Sequence, residues 1–340
     1  MKILIQQENL FDYRLDLLNR LGDSHELVVL TSNNELVTAN FNFKIIKGYR
    51  IVIGKFIFNF GIFKLLFTKF DKYILLPNFY YVFSILFYFL IPKRKRIIWG
   101  CDTKNKNLGL RFRLLLARLS QSVIQYNDDE KEKLIKLKIN FNKIFVANNT
   151  INVPNSTYCK NKQKTSLIYV GRLQARKKID LLLEAFLKLD LSIRENIKIE
   201  IVGDGDIKED LIKLSKNLNI DRSVIFHGKI TDHEKLKEIF LRSYAYVSPD
   251  AIGLGLQHSF AYGVPVITSK YGFKGAEYFH LVDKKNCILW SENEKSLENA
   301  IEDILNTETN KKMSITCFNY YKDNLSITNM INKFNEAIQY

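Results

Sequence analysis

Cysteine is scarce. The chain has four in 340 residues, Cys101, Cys159, Cys287 and Cys317. They stand far apart and fit no metal-ligand spacing, which excludes a zinc module and a disulfide-stapled framework. Reduced thiols of a cytosolic protein are the expectation. Five prolines and 15 glycines exclude a collagen-like chain. A content of 46% hydrophobic and 26% charged residues excludes a disordered one. Helix-turn-helix, zinc-finger and RNA-binding aromatic patterns are missing, so nucleic acid is not an expected partner. The opening Met1-Lys2-Ile3-Leu4-Ile5 reads as a strand rather than a signal h-region, and no secretory signal is expected.

Acidic residues are also scarce, but only locally. Residues 41–120 hold 16 Lys and Arg against two acids, Asp71 and Asp102. The whole chain carries 51 basic and 36 acidic residues, a net charge of +15, so nearly all the surplus lies in this window. Residues 151–340 carry 27 and 24. The basic window is also the most aromatic, with Phe56-Ile57-Phe58-Asn59-Phe60, Phe79-Tyr80-Tyr81-Val82-Phe83 and Ile85–Ile91 leading into Lys93-Arg94-Lys95-Arg96. No charge falls between Lys72 and Lys93, about the length of a membrane span. Pro77 and Asn78 break that stretch. It reads as a buried strand (Tyr73–Leu76) and a short helix (Phe79–Ile91) of an α/β domain. A basic, aromatic-rich surface points to an anionic membrane as partner, with a peripheral position at the inner face of the plasma membrane.

The length suggests two domains of about 150 residues each. Short β-rich runs alternate with helical patterns throughout. Strands are expected at Lys2–Gln6, Glu26–Leu30, Phe43–Ile46, Tyr73–Leu76, Arg96–Trp99, Val123–Tyr126 and Lys143–Ala147. After a polar linker at 152–165 they are expected at Ser166–Val170, Lys198–Val202, Val224–Phe226, Ala245–Val247 and Val264–Thr268. This alternation predicts parallel sheets covered on both faces. The fold class is α/β, with two doubly wound Rossmann-like domains at 1–152 and 166–326. A helix at 327–340 carries the stripe Ile327, Met330, Ile331, Phe334 and Ile338. Its return to the first domain is left open. In such sheets ligands bind at the carboxyl ends of the strands.

Four clusters carry chemistry. Tyr169-Val170-Gly171-Arg172-Leu173, with Lys177 beyond, places a glycine at a strand end and two cations that suit a diphosphate. Ile201-Val202-Gly203-Asp204-Gly205-Asp206 reads as a glycine turn followed by an N-cap Asp, not an Asp-x-Asp metal site. The third is Val224-Ile225-Phe226-His227-Gly228-Lys229. The fourth runs from Ser248-Pro249-Asp250 through Gly253-Leu254-Gly255-Leu256-Gln257-His258-Ser259 to Gly263-Val264-Pro265-Val266-Ile267. There backbone N–H groups at a helix start suit phosphate oxygens. Asp250 and His258 suit a sugar or ribose.

In this order the four clusters resemble the donor domain of glycosyltransferase family 4, which has the GT-B fold of two Rossmann-like domains facing each other across a cleft. The resemblance is strong over 167–305. It is weaker in the first half, through Ile97-Ile98-Trp99-Gly100 and Ile144–Thr150. The branch is similar to enzymes of bacterial surface-polysaccharide synthesis. The resemblance implies a retaining, metal-independent transfer from a nucleotide diphosphate sugar, with no cofactor, to a lipid-linked oligosaccharide or polysaccharide acceptor. Arg172 and Lys177 would bind the donor diphosphate, and His227, Gly228 and Lys229 would line the base pocket. Gly171 and the loop Gly253, Leu254, Gly255, Leu256 and Ser259 would cradle the donor. Glu277 stands where the family places a donor-contacting carboxylate. Asp250 and His258 occupy the places of the family's usual glutamate pair. As a His, residue 258 suits donation to a phosphate or ribose oxygen. Cys101-Asp102 follow Trp99-Gly100 where the branch often has His. Asp102 is read as an acid/base or acceptor-orienting group, or as a helix cap. The altered pair and Cys101 also fit a non-catalytic GT-B-like subunit.

Overall fold

The computed structural model describes residues 1–32, 41–65, 67–78, 80–103, 108–158 and 162–340. Cys159 lies outside the described residues. The chain forms two compact units. One combines Met1–Asn152 with Ile327–Tyr340, and the other is Val153–Ser326.

The first unit has strands β1 (Lys2–Gln6), β2 (Glu26–Thr31), β3 (Lys44–Lys47), β4 (Arg50–Ile53), β5 (Phe56–Asn59), β6 (Lys72–Leu75), β7 (Arg96–Trp99), β8 (Ser122–Gln125) and β9 (Ile144–Val146). Seven of them make a parallel sheet in the order β3-β2-β1-β6-β7-β8-β9. Alternation along each strand splits the core into two layers. Ile3, Ile5, Val29, Ile97, Trp99 and Ile124 face one side, against Leu17, Leu18 and Leu21. Leu4, Val28, Leu75, Ile98 and Val123 face the other, against Phe87, Tyr88, Leu110 and Leu114.

The helix Ile327–Gln339 belongs to this unit. Met330, Phe334 and Ile338 pack into the first of those layers, and Phe334 meets the Trp99 ring edge-on at 4.8 Å. The Ser122 hydroxyl donates to the Ala337 carbonyl at 2.8 Å. The i, i+3, i+4 stripe therefore finds its partner more than 200 residues back along the chain.

Two features depart from the sequence reading. β4 and β5 form a separate antiparallel hairpin, closed by Gly54-Lys55 with Gly54 at φ +60°. A two-residue turn with glycine first is the hairpin geometry that matches strand twist. The helix expected at 79–91 begins at Val82 and buries Ser84, Phe87 and Tyr88. Leu86, Phe89 and Leu90 stay exposed, so the pair is not wholly buried as expected. Among the described residues no helix is long and apolar enough to cross a membrane.

The second unit has β10 (Ser166–Val170), β11 (Lys198–Val202), β12 (Val224–Gly228), β13 (Ser243–Ser248), β14 (Val266–Ser269) and β15 (Cys287–Trp290), all parallel, in the order β12-β11-β10-β13-β14-β15. The order reverses between β10 and β13, and such switch points open a crevice at the carboxyl ends of the strands. β15 is an addition to the expected set. It is four residues long between polar turns, too short for periodicity to reveal.

Candidate functional site

The crevice at β10 and β13 is built by interlocking glycine loops. After β10 the chain passes Gly171, whose N–H donates to the Val202 carbonyl at 3.0 Å. The loop after β11 lies hard against it. A Cβ at Gly203 would come within 1.9 Å of the Gly171 carbonyl oxygen, and one at Gly205 within 2.2 Å of the Leu173 carbonyl oxygen. Both glycines also have positive φ, so no other residue fits either place. The Leu173 N–H donates to the Asp204 carbonyl at 2.9 Å and completes the joint. These glycines shape the crevice by close backbone packing. Asp206 does not cap the next helix as expected. Helix Lys208–Asn217 is flanked by Ile207 and lacks a side-chain cap.

Lys177 is the centre of the site. It lies in a short turn, Ala175–Lys177, and is 8% exposed. Its ammonium donates to the Ala251 carbonyl and lies 3.4 Å from the place where a side chain at Gly253 would begin. Burial pushes its pKa down to about 8, and the Arg176 charge adds to that effect. The Glu277 and Asp250 charges act in the opposite sense. A buried cation facing an open glycine is a receptor for an anion. Arg172 is exposed, and its side chain has no hydrogen bond or ion pair among the described residues. The structure does not bring it into contact with Lys177. The cation acting on Lys177 is Arg176, which the sequence reading passed over.

Asp250 is held in place. Its Oδ1 accepts from the Phe273 N–H at 2.8 Å, and its Oδ2 lies 3.7 Å from the Lys178 ammonium. It lines a cavity of about 250 Å³ with Lys178, Ser269, Tyr271, Gly272 and Trp290. Glu277 is buried in the turn Ala276–His280, with its charge acting on Lys177 and Tyr246. Lys177, Asp250, Gly253 and Glu277 thus come together at the switch point.

The rest of the fourth cluster sits differently from the sequence reading. Leu254 flanks the helix Gly255–Ala261, and Gly255 packs against the Tyr246 hydroxyl and the Val170 carbonyl. Leu256 and Ser259 are fully buried, and the Ser259 hydroxyl donates to the Val264 carbonyl at 2.5 Å. Their side chains are spent on the core, which leaves only backbone for a ligand. His258 is 9% exposed and lies between the rings of Phe240 (6.0 Å) and Tyr262 (6.5 Å), with His233 at 6.3 Å. Burial pushes its pKa down to about 4, so it is neutral at pH 7. Its Nδ1 has no hydrogen-bond partner among the described residues. No hydrogen bond joins it to Asp250.

In the third cluster, His227 binds the Glu200 carboxylate through Nε2 at 2.8 Å. Arg242 clamps the same carboxylate with two bonds of 2.6 Å. Burial alone would raise the Glu200 pKa, but the Arg242 and His227 bonds outweigh it and hold the group below its usual value. His227 is therefore part of a structural triad through one ring nitrogen. Beside it Gly228 leaves open space where a side chain would stand, and Lys229 is exposed.

In the first unit, Asp102 is exposed beyond the carboxyl end of β7, after Gly100 at φ +77°. Its carbonyl accepts from Arg113 Nε at 2.8 Å. The next helix is described from Leu108, and residues 104–107 between it and Asp102 lie outside the described residues. Cys101 is fully buried, with its thiol pushed up to about 12, and is inert. Among the described residues no three His, Cys, Asp or Glu side chains converge on a metal site.

Two parallel sheets whose strands run 3-2-1-4-5-6 in order of appearance, with a seventh strand at the end of the first and a cationic glycine-lined crevice in the second, define the GT-B class. Residues 157–317, just under half of the chain, match the model of the glycosyl transferases group 1 family. Over that stretch the chain is similar to this glycosyltransferase family. An uncharacterised glycosyltransferase of Methanocaldococcus jannaschii is 28% identical over 186 residues, 53% of this chain and 46% of that one. A Campylobacter jejuni N-acetyl-D-galactosaminyltransferase, named for a saccharide on PP-undecaprenol, is 28% identical over 155 residues, 44% of this chain and 41% of its own. The matches span less than half the length of these relatives. Across the whole chain, the Anabaena protein HepE, solved with UDP, superposes with a TM-score of 0.73 at 13% identity and covers 100% of both chains.

Proposed function

We propose that the protein is a retaining, metal-independent glycosyltransferase. It moves a sugar from a nucleotide diphosphate sugar to a lipid-linked oligosaccharide or surface-polysaccharide acceptor. It works as a peripheral protein at an anionic membrane surface on the cytoplasmic side. The observation that carries this reading is the buried Lys177 ammonium facing Gly253 at the switch point, between Asp250 and Glu277. In the transfer, the bond from the anomeric carbon to the diphosphate breaks and the acceptor oxygen takes its place. The negative charge that develops on the departing diphosphate falls to Lys177 and Arg172. Fixed cations of this kind lower the barrier without a metal ion. The UDP in HepE and the PP-undecaprenol in the Campylobacter relative's name support the donor and acceptor classes.

Asp250 and Glu277 are assigned to the donor sugar, and Gly228 and Lys229 to the base. The unpartnered Nδ1 of His258 is assigned to a ribose or phosphate oxygen. Asp102 is assigned as the acceptor-side base or orienting group. A thermal-shift panel of UDP, GDP, dTDP and CDP sugars tests the donor claim, because a ligand that binds only the folded state raises the melting temperature. No shift with any of them, and no transfer to membrane acceptors, would sink the reading. The packing of His258 on Phe240, where the family has a carboxylate, favours one alternative: a nucleotide-binding subunit without turnover. Binding with no transfer would decide for it.

A further inference from the structure

The β4–β5 hairpin stands outside the parallel sheet, and a lone two-stranded hairpin is marginal in water. Its base is well anchored. Asn59 is buried and donates to Ser32 Oγ at 3.0 Å, the Ile57 N–H donates to the Tyr80 carbonyl at 2.7 Å, and the Phe60 N–H donates to Tyr49 at 2.8 Å. Its tip is the reverse of a soluble design. Ile53 pairs with Phe56 on one face and Val52 with Ile57 on the other. Ile53 is 62% exposed, Val52 56%, and Phe56 is exposed as well. Both faces are therefore apolar and open at the tip.

The hairpin continues into a platform. Phe58, Phe60 and Phe63 set their rings edge-on around Phe83 of the helix Val82–Leu90, with centroids 5.0–5.5 Å away. Beyond them Tyr49, Phe60, Phe63, Phe67, Leu86, Phe89 and Leu90 are exposed, Phe67 by 96%. Charge decides what covers this patch. Residues 41–70 contain no acid, and Lys44, Lys47, Lys55, Lys64 and Lys69 are all exposed. A second copy would bring the same cations and repel. An anionic bilayer offers both the apolar depth and the opposite charge.

We infer that the β4–β5 hairpin inserts its tip into the headgroup and acyl boundary of an anionic bilayer, with the platform lying flat beside it. This rests on the membrane reading above and goes further by naming the inserting element. The test places a fluorophore at the tip. Both native tryptophans, Trp99 and Trp290, are buried, so Ile53→Trp adds an exposed reporter. Ile315→Trp, at an exposed site of the second unit, is the control. Vesicles of phosphatidylcholine with and without phosphatidylglycerol, carrying brominated acyl chains, should quench residue 53 and not residue 315. The triple change Val52→Ser, Ile53→Ser and Phe56→Ser should weaken partitioning roughly tenfold or more. Its melting temperature should stay unchanged, because these side chains are exposed. Wild-type flotation with anionic vesicles but no quenching at 53 would overturn the hairpin inference and leave the membrane reading standing. No flotation at all would overturn the membrane reading itself. A concentration-dependent dimer that the triple change dissolves, without vesicle binding, would assign the hairpin to a second copy and overturn the inference.

Discussion

The two units share a strand order yet treat positive charge in opposite ways. In the second, one lysine is buried against a glycine loop and its pKa falls to about 8. Surplus charge is small there, and at the crevice it is aimed and desolvated. In the first, the surplus is large, and Lys44, Lys47, Lys55, Lys64 and Lys69 stand exposed among exposed aromatic side chains. A desolvated cation recognises one anionic group at short range, whereas a field of solvated cations attracts a surface and is screened by salt. Net charge thus says little until burial is known.

This contrast can be broken or sharpened by experiment. The largest expected effect is on the first unit. Phe334→Ala removes the ring that meets Trp99 and should cost about 3–5 kcal/mol of stability, read in a denaturant melt. If residues 327–340 do not hold up this unit, the loss will be small. Next comes the second unit. Arg242→Ala removes the only full positive charge bonded to the buried Glu200 carboxylate among the described residues, leaving it with His227 and Ser166, and should cost about 3 kcal/mol. Calorimetric melting checks it, and a null result would demote the triad.

Smaller effects concern ligands. Lys177→Ala should weaken nucleotide-sugar binding by about 2 kcal/mol, or roughly 30-fold, in titration calorimetry, while Lys64→Ala leaves it unchanged. Equal losses would erase the distinction between aimed and diffuse charge. The smallest effect is on pH dependence. The Lys177 pKa of the free protein is about 8, and a bound diphosphate favours the charged form. Donor affinity should therefore hold below pH 8 and fall above it, by up to roughly tenfold per unit. Lys177→Arg should flatten that fall, since a guanidinium keeps its charge. An unchanged profile in the arginine variant would assign the titration elsewhere.

Much of the fold was legible. Strands such as Ile3-Leu4-Ile5 and Leu167-Ile168-Tyr169 announce buried parallel sheets, and the stripe on 327–340 announces a docking helix. The crevice was legible through its glycines, because close backbone approach leaves no other residue type at 203 and 205. The β4–β5 hairpin was not, since Gly54-Lys55 sits inside a run that is apolar on both sides and shows no alternation. Nor was the setting of His258. Its neighbours are Tyr262, which ends its own helix, and Phe240 of a separate helix, and only packing decides that its ring stacks there. The Glu200–His227–Arg242 triad draws on three separate elements, and no local pattern marks it. Arg176 and Lys178 were passed over because a run of three basic residues, Arg176-Lys177-Lys178, reads as solvated surface.

The return of the helix 327–340 to the first unit has a consequence for synthesis. The first unit leaves the ribosome with the sheet face around Trp99 and Ile124 still missing its final cover. The whole of residues 153–326 must be made before that cover emerges, roughly ten to thirty seconds at bacterial-type elongation rates. During that interval the nascent chain carries an open apolar face, and the second unit is free to fold first. A segment translated after the second unit is thus the one that completes the first.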